Sequence, residues 1–218
     1  DFTYPLPEDA MRYTTVPNWK TQLHGAVGFN EAGLGLTGTE SIFASDEVLA
    51  IDPYNVESGI TEDDIPDVIL PRCRTAKEAA ALLGEIIETQ GCGEGFGVAF
   101  VDEKDVWYLE TGSGHQWFAE RSPADTHFAS GNQGRMGVYD PANPNQMASK
   151  TLVSWATEKG SYDPAKGPFN FSAAYTRDDG RDRVYNDPRV WVMQKYLNPS
   201  LEQPVDAGRS FPVYLKPE

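Results

Sequence analysis

Asn132 has the residue type and the sequence position of a hydrogen-bond donor in acyl-transfer chemistry. It follows the stretch 127–130, which is typical of a β-strand, and it precedes Gln133 and Gly134. A side-chain amide held at a strand end can donate to an oxygen that becomes negative during acyl transfer. An asparagine at this position is also typical of an ordinary turn, so both interpretations stay open on spacing alone.

Arg189 is the second candidate. It falls in the first turn of a predicted helix, because Asp187 is a favoured N-cap and Pro188 a favoured first helical residue. A cation there opposes the helix dipole, which indicates a specific carboxylate partner. An exposed arginine without a role fits the spacing equally well.

Amide cleavage also needs a nucleophile, and the chain offers poor ones. Cys92 follows the C-terminal end of a predicted helix, whose partial negative charge disfavours a thiolate. Cys73 lies in an apolar run and is expected to be packed. Ser113 lies between two predicted strands and does not match a nucleophile elbow, so we interpret it as part of a turn. We therefore expect the nucleophile to lie on a segment that is missing from this chain.

Metal and cofactor chemistry is not indicated. Of the three histidines, none has a second ligand at helical spacing. The acidic clusters 61–64 and 178–182 do not match a calcium loop and are interpreted as solvated loops. We predict no metal and no cofactor.

The composition excludes further classes of function. The 218 residues carry a net charge of −15, which would repel nucleic acid, because such binding depends on Lys and Arg that neutralise phosphates. No apolar run reaches the ~18 residues of a membrane span. The two cysteines fit no metal or disulfide framework, so the cytoplasm is the expected location, although one disulfide stays open. We predict one domain over residues 1–218.

Strands and helices are expected in separate blocks. Two glycine-rich strands within 25–43 flank a turn in which Gly33 is free to take a positive φ. Period-2 patterns predict an antiparallel meander through 97–101, 106–110, 116–120 and 127–130. With the helices described next, this arrangement indicates an α+β protein.

Three helices are predicted. They cover 76–90, 146–158 and 187–197, with a long loop over 160–187 and an extended tail after Pro199. The first is the clearest, because Thr75 and Glu78 form a capping box and apolar residues follow a helical period. Gly91 is well placed to end this helix.

Several short stretches together carry a resemblance to a known family. They are 5–8, 12–14, 29–33, 39–42, 68–71, 94–97, 107–112, 114–115, 132–133 and 185–191. In this order and at these spacings they resemble the PepD-type dipeptidases, which include dipeptidase A and the related secernins. The resemblance covers nearly all 218 residues.

The resemblance implies an N-terminal nucleophile hydrolase, distantly similar to bile salt hydrolases and penicillin V acylases. Its fold is an αββα sandwich with antiparallel sheets, incomplete in this chain. In such enzymes an N-terminal Cys is the nucleophile, and its own α-amine, with a pKa of about 8, is the base. That Cys precedes the part matched by Asp1, so the isolated chain is expected to be inactive.

The resemblance also implies roles for individual residues. Asn132 aligns with the oxyanion-hole asparagine of the bile salt hydrolases, and Arg189 lies near the arginine that closes their site. Glu40 falls where those relatives use a backbone amide for the same hole. We assign Asn132 and Arg189 to catalysis, and Thr39, Glu40 and Gln133 to substrate binding.

Three functions follow as hypotheses. The first is a cysteine-type dipeptidase that acts on small peptides without a metal. The second is an amidase of acylated amino acids, for which the acidic Glu40 is less suited than for a free α-ammonium. The third is a non-catalytic, secernin-like binding module. The oligomeric state stays open, a homo-oligomer included.

Overall fold

The strands predicted within 97–120 form the centre of an antiparallel sheet in the computed structural model. The structure describes residues 1–20, 22, 25–37 and 40–218, and at Glu40 the backbone alone. Eight strands form this main sheet: β1 (Tyr13–Pro17), β2 (Gly25–Asn30), β3 (Gly35–Leu36), β4 (Glu40–Ser41), β5 (Phe96–Val101), β6 (Val106–Thr111), β7 (Trp117–Arg121) and, after a strand β8 that lies elsewhere, β9 (Gln146–Ala148). Their order is β1-β2-β3-β5-β6-β7-β9, and β4 pairs with β5.

The remaining elements cover the main sheet. Strand β8 (His127–Phe128) pairs with β10 (Tyr214–Leu215) in a separate antiparallel sheet. The helices are α1 (Asp46–Leu49), α2 (Ile65–Ile69), α3 (Ala76–Gln90), α4 (Leu152–Lys159), α5 (Phe171–Tyr175), α6 (Asp182–Tyr185) and α7 (Asp187–Leu197), with 3-10 turns at Pro164–Lys166 and Gly208–Ser210. Within the described ranges, every helix is too short or too polar to cross a bilayer.

The predicted capping box is present at the start of helix α3. The helix packs on one face of the main sheet. Glu78 N–H donates to Thr75 Oγ1 at 3.2 Å, and Thr75 N–H donates to the Glu78 carboxylate at 3.2 Å. The helix ends at Gly91, whose φ is +82°. Gly84 faces the sheet, because a Cβ there would lie 2.2 Å from the Trp117 ring. The glycine therefore lets α3 approach β7 closely.

Both faces of the central strands β5, β6 and β7 are buried: successive side chains of a strand point to opposite faces, and most residues of these strands are buried. Val98, Phe100 and Leu109 pack with α3 in one apolar cluster. Tyr108 and Phe118 belong to a second cluster on the other face, together with apolar residues of α4 and α5.

The small sheet packs against this second face. Tyr108 of β6 and Phe128 of β8 have ring centroids 4.4 Å apart, and Phe128 is 5.8 Å from Tyr214 of β10. Beyond the small sheet, Val190 of α7 is buried in a cluster with Phe211. Where the small sheet lies, the order is therefore α3, main sheet, small sheet and α7, while α4 and α5 cover another part of the second face. The α+β class with antiparallel sheets is confirmed.

Two predictions about strands and helices were wrong. Residues 146–158 are not one helix, because Gln146–Ala148 pairs with β7 and α4 begins only at Leu152. The open edge of β7 supplies backbone partners that outweigh the helical periodicity. The meander also stops at β7, since β8 leaves the main sheet and pairs with β10.

Residues 160–187 and the tail are more ordered than predicted. Helices α5 and α6 lie in the supposed loop, where Phe171 and Tyr175 are fully buried and anchor α5. The tail folds back on α7, and its Phe211 is only 2% exposed. The tail is thus ordered by contacts with the chain itself.

Candidate active site

Asn132 is clamped by a second asparagine, Asn186, which directly precedes α7. The Asn132 N–H donates to Asn186 Oδ1 at 2.8 Å, and Asn186 Nδ2 donates to the Asn132 carbonyl at 3.0 Å. Asn186 is 1% exposed, and its Nδ2 also donates to Asp182 Oδ1 at 2.6 Å. Both backbone groups of Asn132 are therefore bound to one buried side chain.

Arg189 orients the side chain of Asn132. Its Nη2 donates to Asn132 Oδ1 at 2.6 Å and also to Asn186 Oδ1. Its Nε donates to the Tyr185 carbonyl at 3.0 Å. A guanidinium only donates, so it must face the amide oxygen, and Asn132 Nδ2 points away from it. None of the described residues accepts a hydrogen bond from this Nδ2, which leaves it available to a ligand.

Gly131 makes the clamp possible. A Cβ at this position would lie 2.8 Å from Asn186 Oδ1 and 3.1 Å from Arg189 Nη2. The absence of a side chain lets both partners approach the backbone just before Asn132.

Gln133 turns into the protein interior. It is 6% exposed, and its Nε2 donates to Oδ1 of the fully buried Asp187 at 3.1 Å. Within the described part of the chain, Gln133 Oε1 and Asp187 Oδ2 have no hydrogen-bond partner. Gln133 thus joins the Asn132 loop to the first residue of α7, and its role in substrate binding stays a prediction.

Glu110 of β6 holds the far end of the same loop. Its carboxylate accepts from the Arg135 N–H at 2.7 Å and from the Met136 N–H at 3.0 Å. Burial raises the pKa of Glu110 to about 7, while these two backbone donors act in the opposite direction. Arg135 is also buried, and its Nη2 donates to the Pro212 carbonyl at 2.9 Å.

Glu40 lies on the same row of the main sheet as Glu110. In the strand register, Glu40 faces Gly97, and Gly97 faces Glu110. Two strand spacings place the Glu40 and Glu110 backbones about 10 Å apart. Thr39 lies outside the described residues. The roles of Thr39 and Glu40 in substrate binding stay predictions.

A chain of contacts also connects β4 with Asn132. The Arg177 guanidinium lies 3.9 Å from the ring centroid of Phe43, just after β4. Arg177 Nη2 is 3.9 Å from Asp182 Oδ1, which also accepts from Asn186. Asn186 in turn holds Asn132. These contacts link the residues that follow β4 to the Asn132 loop.

Two expectations about the local setting were wrong. Asn132 does not end a strand, because β8 stops at Phe128 and the following loop is held by side-chain hydrogen bonds instead of a ladder. The partners observed for Arg189 are amide and carbonyl oxygens rather than the expected carboxylate. The guanidinium therefore binds neutral oxygens of Tyr185, Asn132 and Asn186.

Sequence reasoning missed Asn186 and Glu110. Asn186 directly precedes the Asp-Pro start of a helix, and a polar side chain at such a position often forms hydrogen bonds with backbone groups. Glu110 is a charged residue in an aromatic and aliphatic strand. A buried carboxylate requires donors, and this signal could have identified it.

The turn at Ser113 is confirmed. Asp52 lies between the two candidate groups: the Ser113 hydroxyl donates to its Oδ2 at 2.5 Å, and His115 Nδ1 is 2.7 Å from its Oδ1. The carboxylate binds the serine hydroxyl itself, and His115 contacts the opposite oxygen, so the histidine is not placed to take the proton of the hydroxyl as in a Ser-His-Asp triad. No group of three His, Cys, Asp or Glu that could hold a metal ion occurs among the residues that the structure describes.

We expect both thiols to react slowly with Ellman's reagent in the native chain. Burial raises the pKa of Cys73 to about 12, and burial likewise raises the pKa of Cys92, whose Sγ donates to the Ser113 carbonyl. A pKa shift of this size lowers the thiolate fraction roughly 10³-fold. The same measurement in denaturant is the control and should titrate both thiols rapidly. Fast labelling of the folded chain would show that a cysteine is accessible.

Comparison of the sequence with known proteins identifies one family. The sequence model described as peptidase family C69 matches residues 1–218. A probable dipeptidase from Salmonella dublin is 54% identical over 220 residues, which cover 100% of this chain and 51% of that protein.

More distant relatives carry similar names. A probable dipeptidase A from Streptococcus pyogenes serotype M3 is 39% identical over 206 residues, covering 93% of this chain and 44% of the relative. A dipeptidase from Bifidobacterium longum is 35% identical over 218 residues, covering 90% and 41%. The chain spans about half the length of the curated relatives it matches, or somewhat less.

Proposed function

The chain belongs to peptidase family C69, and from this membership we propose that it is part of a longer enzyme, the parent enzyme, that hydrolyses dipeptides. One observation carries the proposal beyond the names of the relatives. Arg189 binds the oxygen of the Asn132 amide, and Asn186 binds its backbone, so the Nδ2 donor is fixed and unoccupied among the described residues. A donor that is fixed before the reaction stabilises a developing negative charge without reorganisation.

We propose the following role for Asn132 in the reaction. A thiolate of the parent enzyme attacks the carbonyl carbon of the peptide bond, and the carbonyl oxygen becomes an oxyanion. Asn132 Nδ2 donates to that oxygen. The α-amine of the N-terminal Cys, which took the thiol proton, gives this proton to the leaving amine as the tetrahedral intermediate collapses. Water then hydrolyses the acyl-enzyme, which releases the acid and regenerates the thiol. Neither Cys73 nor Cys92 suits the attack, because both thiols are buried.

The layer order supports an N-terminal nucleophile hydrolase-like arrangement. Helix α3, the main sheet, the small β8–β10 sheet and α7 follow one another as α, β, β and α. The two sheets are in direct contact through Tyr108 and Phe128. In the proposed αββα sandwich, the small sheet is the part of the second sheet that this chain supplies.

Glu40 is the proposed anchor for the substrate's free α-ammonium, with Thr39 beside it. Two observations support this proposal: the sheet register sets the Glu40 backbone two strands from Glu110, and the Phe43–Arg177–Asp182–Asn186 contacts link the end of β4 to the Asn132 loop. A Glu40 carboxylate that binds this ammonium favours a free dipeptide over a substrate whose amine is acylated.

The test uses the full-length parent enzyme with free and N-acylated dipeptides. We expect hydrolysis of free dipeptides to persist with a chelator present and to be lost when the N-terminal cysteine is replaced. Preferential cleavage of acylated substrates would indicate an amidase instead. Absence of any turnover, or full activity after the cysteine replacement, would contradict a cysteine-type dipeptidase.

A further inference from the structure

Glu110 is a buried carboxylate whose hydrogen bonds converge on the loop that carries Asn132. It is fully inaccessible to solvent, and it accepts from the backbone N–H groups of Arg135 and Met136 at 2.7 and 3.0 Å. The Tyr108 hydroxyl also acts to lower the pKa of this carboxyl. Backbone donors three and four residues after Asn132 are thus bound to one side chain of the rigid central strand β6.

The same loop is tied down at its other end. Asn186 holds both backbone groups of Asn132, and Asp187 accepts from Gln133. The segment 131–136 is therefore hydrogen-bonded at one end to the start of α7 and at the other end to the middle of the main sheet. The α7 contacts fix one end, and Glu110 fixes the other.

We propose that Glu110 is a positioning residue, which sets where Asn132 presents its Nδ2 donor by binding the Arg135 and Met136 amides. This inference rests on the proposed function, since it assigns Glu110 a role through Asn132. Glu110 does not touch the substrate. Its effect on catalysis is transmitted through the backbone of the Asn132 loop.

The cost of burying this carboxylate supports a specific role for it. An ionised group removed from water is stabilised only when several donors face it, and a neutral apolar side chain would fill the same space at lower cost. Gly97 leaves room for the Tyr108 hydroxyl, since a Cβ there would lie 2.2 Å from it. A glycine, a tyrosine and two backbone amides are thus arranged around one carboxylate.

The charge of Glu110 makes the anchor sensitive to pH. Burial raises its pKa to about 7, so its protonation changes near neutrality. Among the side chains that the structure describes, the charged and titratable groups near it are Arg135 from the loop, Tyr108 from its own strand and Tyr214 from β10, and Glu120 of β7 also acts on Tyr214. Tyr214 has a raised pKa because of burial and the nearby carboxylates, and Arg135 is a cation, so neither changes charge near pH 7.

The first test measures the loop directly, in the 218-residue chain. In Glu110→Gln we expect amide hydrogen exchange at Arg135 and Met136 to rise about 10-fold or more, because one carboxylate oxygen is replaced by a donor that opposes the backbone N–H. Glu120→Gln is the matched control. Glu120 is a half-buried carboxylate on the neighbouring strand that accepts from Gln146 at 2.7 Å and does not bind the Asn132 loop.

A second measurement needs no variant that could fail to fold. In the wild-type chain, the amide proton shifts of Arg135 and Met136 should titrate with a midpoint near pH 7. Tyr108→Phe removes the hydroxyl that lowers the Glu110 pKa, so it should shift this midpoint upward and leave the fold intact. Flat titration curves, or equal exchange rates in Glu110→Gln and Glu120→Gln, would overturn the inference.

Kinetics of the parent enzyme separate the inference from the proposed function. Glu110→Gln should lower kcat about 10-fold with little change in KM, since a displaced donor affects the transition state more than substrate binding. Glu120→Gln should retain normal kcat. If the wild-type parent has no dipeptidase activity but amide exchange in the loop still depends on Glu110, the proposed function is refuted. The binding of the loop by Glu110 would then still hold. An active parent with unchanged loop exchange in Glu110→Gln would refute the anchor alone.

Discussion

Replacing Asn132 by alanine in the parent enzyme should lower kcat about 10²- to 10³-fold, the usual cost of removing one oxyanion donor. The change removes Nδ2, the donor that Arg189 directs away from itself. The backbone clamp by Asn186 does not involve the Asn132 side chain and should persist. We therefore expect KM and the melting temperature to change little.

Two further variants distinguish donation from structural support. Asn132→Asp keeps an acceptor for Arg189 but removes the amide donor, so the protein should stay folded while kcat stays low. Asn145→Ala is the control. Asn145 is exposed, and its backbone carbonyl, which the variant keeps, accepts from the N–H of Arg121 at the C-terminal end of β7. This variant should have a normal kcat. Near-normal kcat in Asn132→Ala would remove this residue from the mechanism.

Replacing Glu40 by glutamine should reduce kcat/KM for free dipeptides roughly 10- to 150-fold. A charge-assisted hydrogen bond between a carboxylate and an ammonium contributes about 1.5–3 kcal/mol, and each 1.4 kcal/mol corresponds to a factor of ten. N-acetylated substrates carry no ammonium and should be affected far less. Selectivity for free over acetylated substrate should therefore fall by nearly the same factor.

The comparison requires a measure of stability and a control carboxylate. Glu103→Gln changes an exposed glutamate in the β5–β6 turn, at the far end of the strand that pairs with Glu40, and should leave both substrates unaffected. If Glu40 instead binds a structural arginine, Glu40→Gln would lower the melting temperature and the turnover of both substrates alike. Equal losses on the two substrates would rule out recognition of the amine.

Local patterns in the sequence determined several elements without further information. Helix α3 follows from its capping box and apolar period, and its end follows from Gly91, because these signals lie within one or two turns of each other. The pair β5–β6 follows from alternation around a short polar turn, and the Gly33 turn from a positive φ. The family also follows from the sequence, because the order of its short stretches is a linear property.

The position of weakly paired elements was decided by tertiary contacts. Residues 146–148 have a helical pattern, but they pair with the open edge of β7. Residues 127–128 resemble the next strand of a meander, but they pair with 214–215 at the end of the chain. In both cases a distant partner supplies hydrogen bonds that local propensity cannot anticipate.

The candidate site shows the same division most clearly. The sequence pointed to Asn132 and Arg189 as separate residues, each with an ordinary alternative role. Only the folded chain brings Arg189 onto the Asn132 amide across 57 positions, Asn186 onto its backbone across 54, and Glu110 onto the loop amides of Arg135 and Met136 across 25 and 26. The orientation of a donor depends on what binds its other atoms, and those partners are neighbours in space but not in sequence.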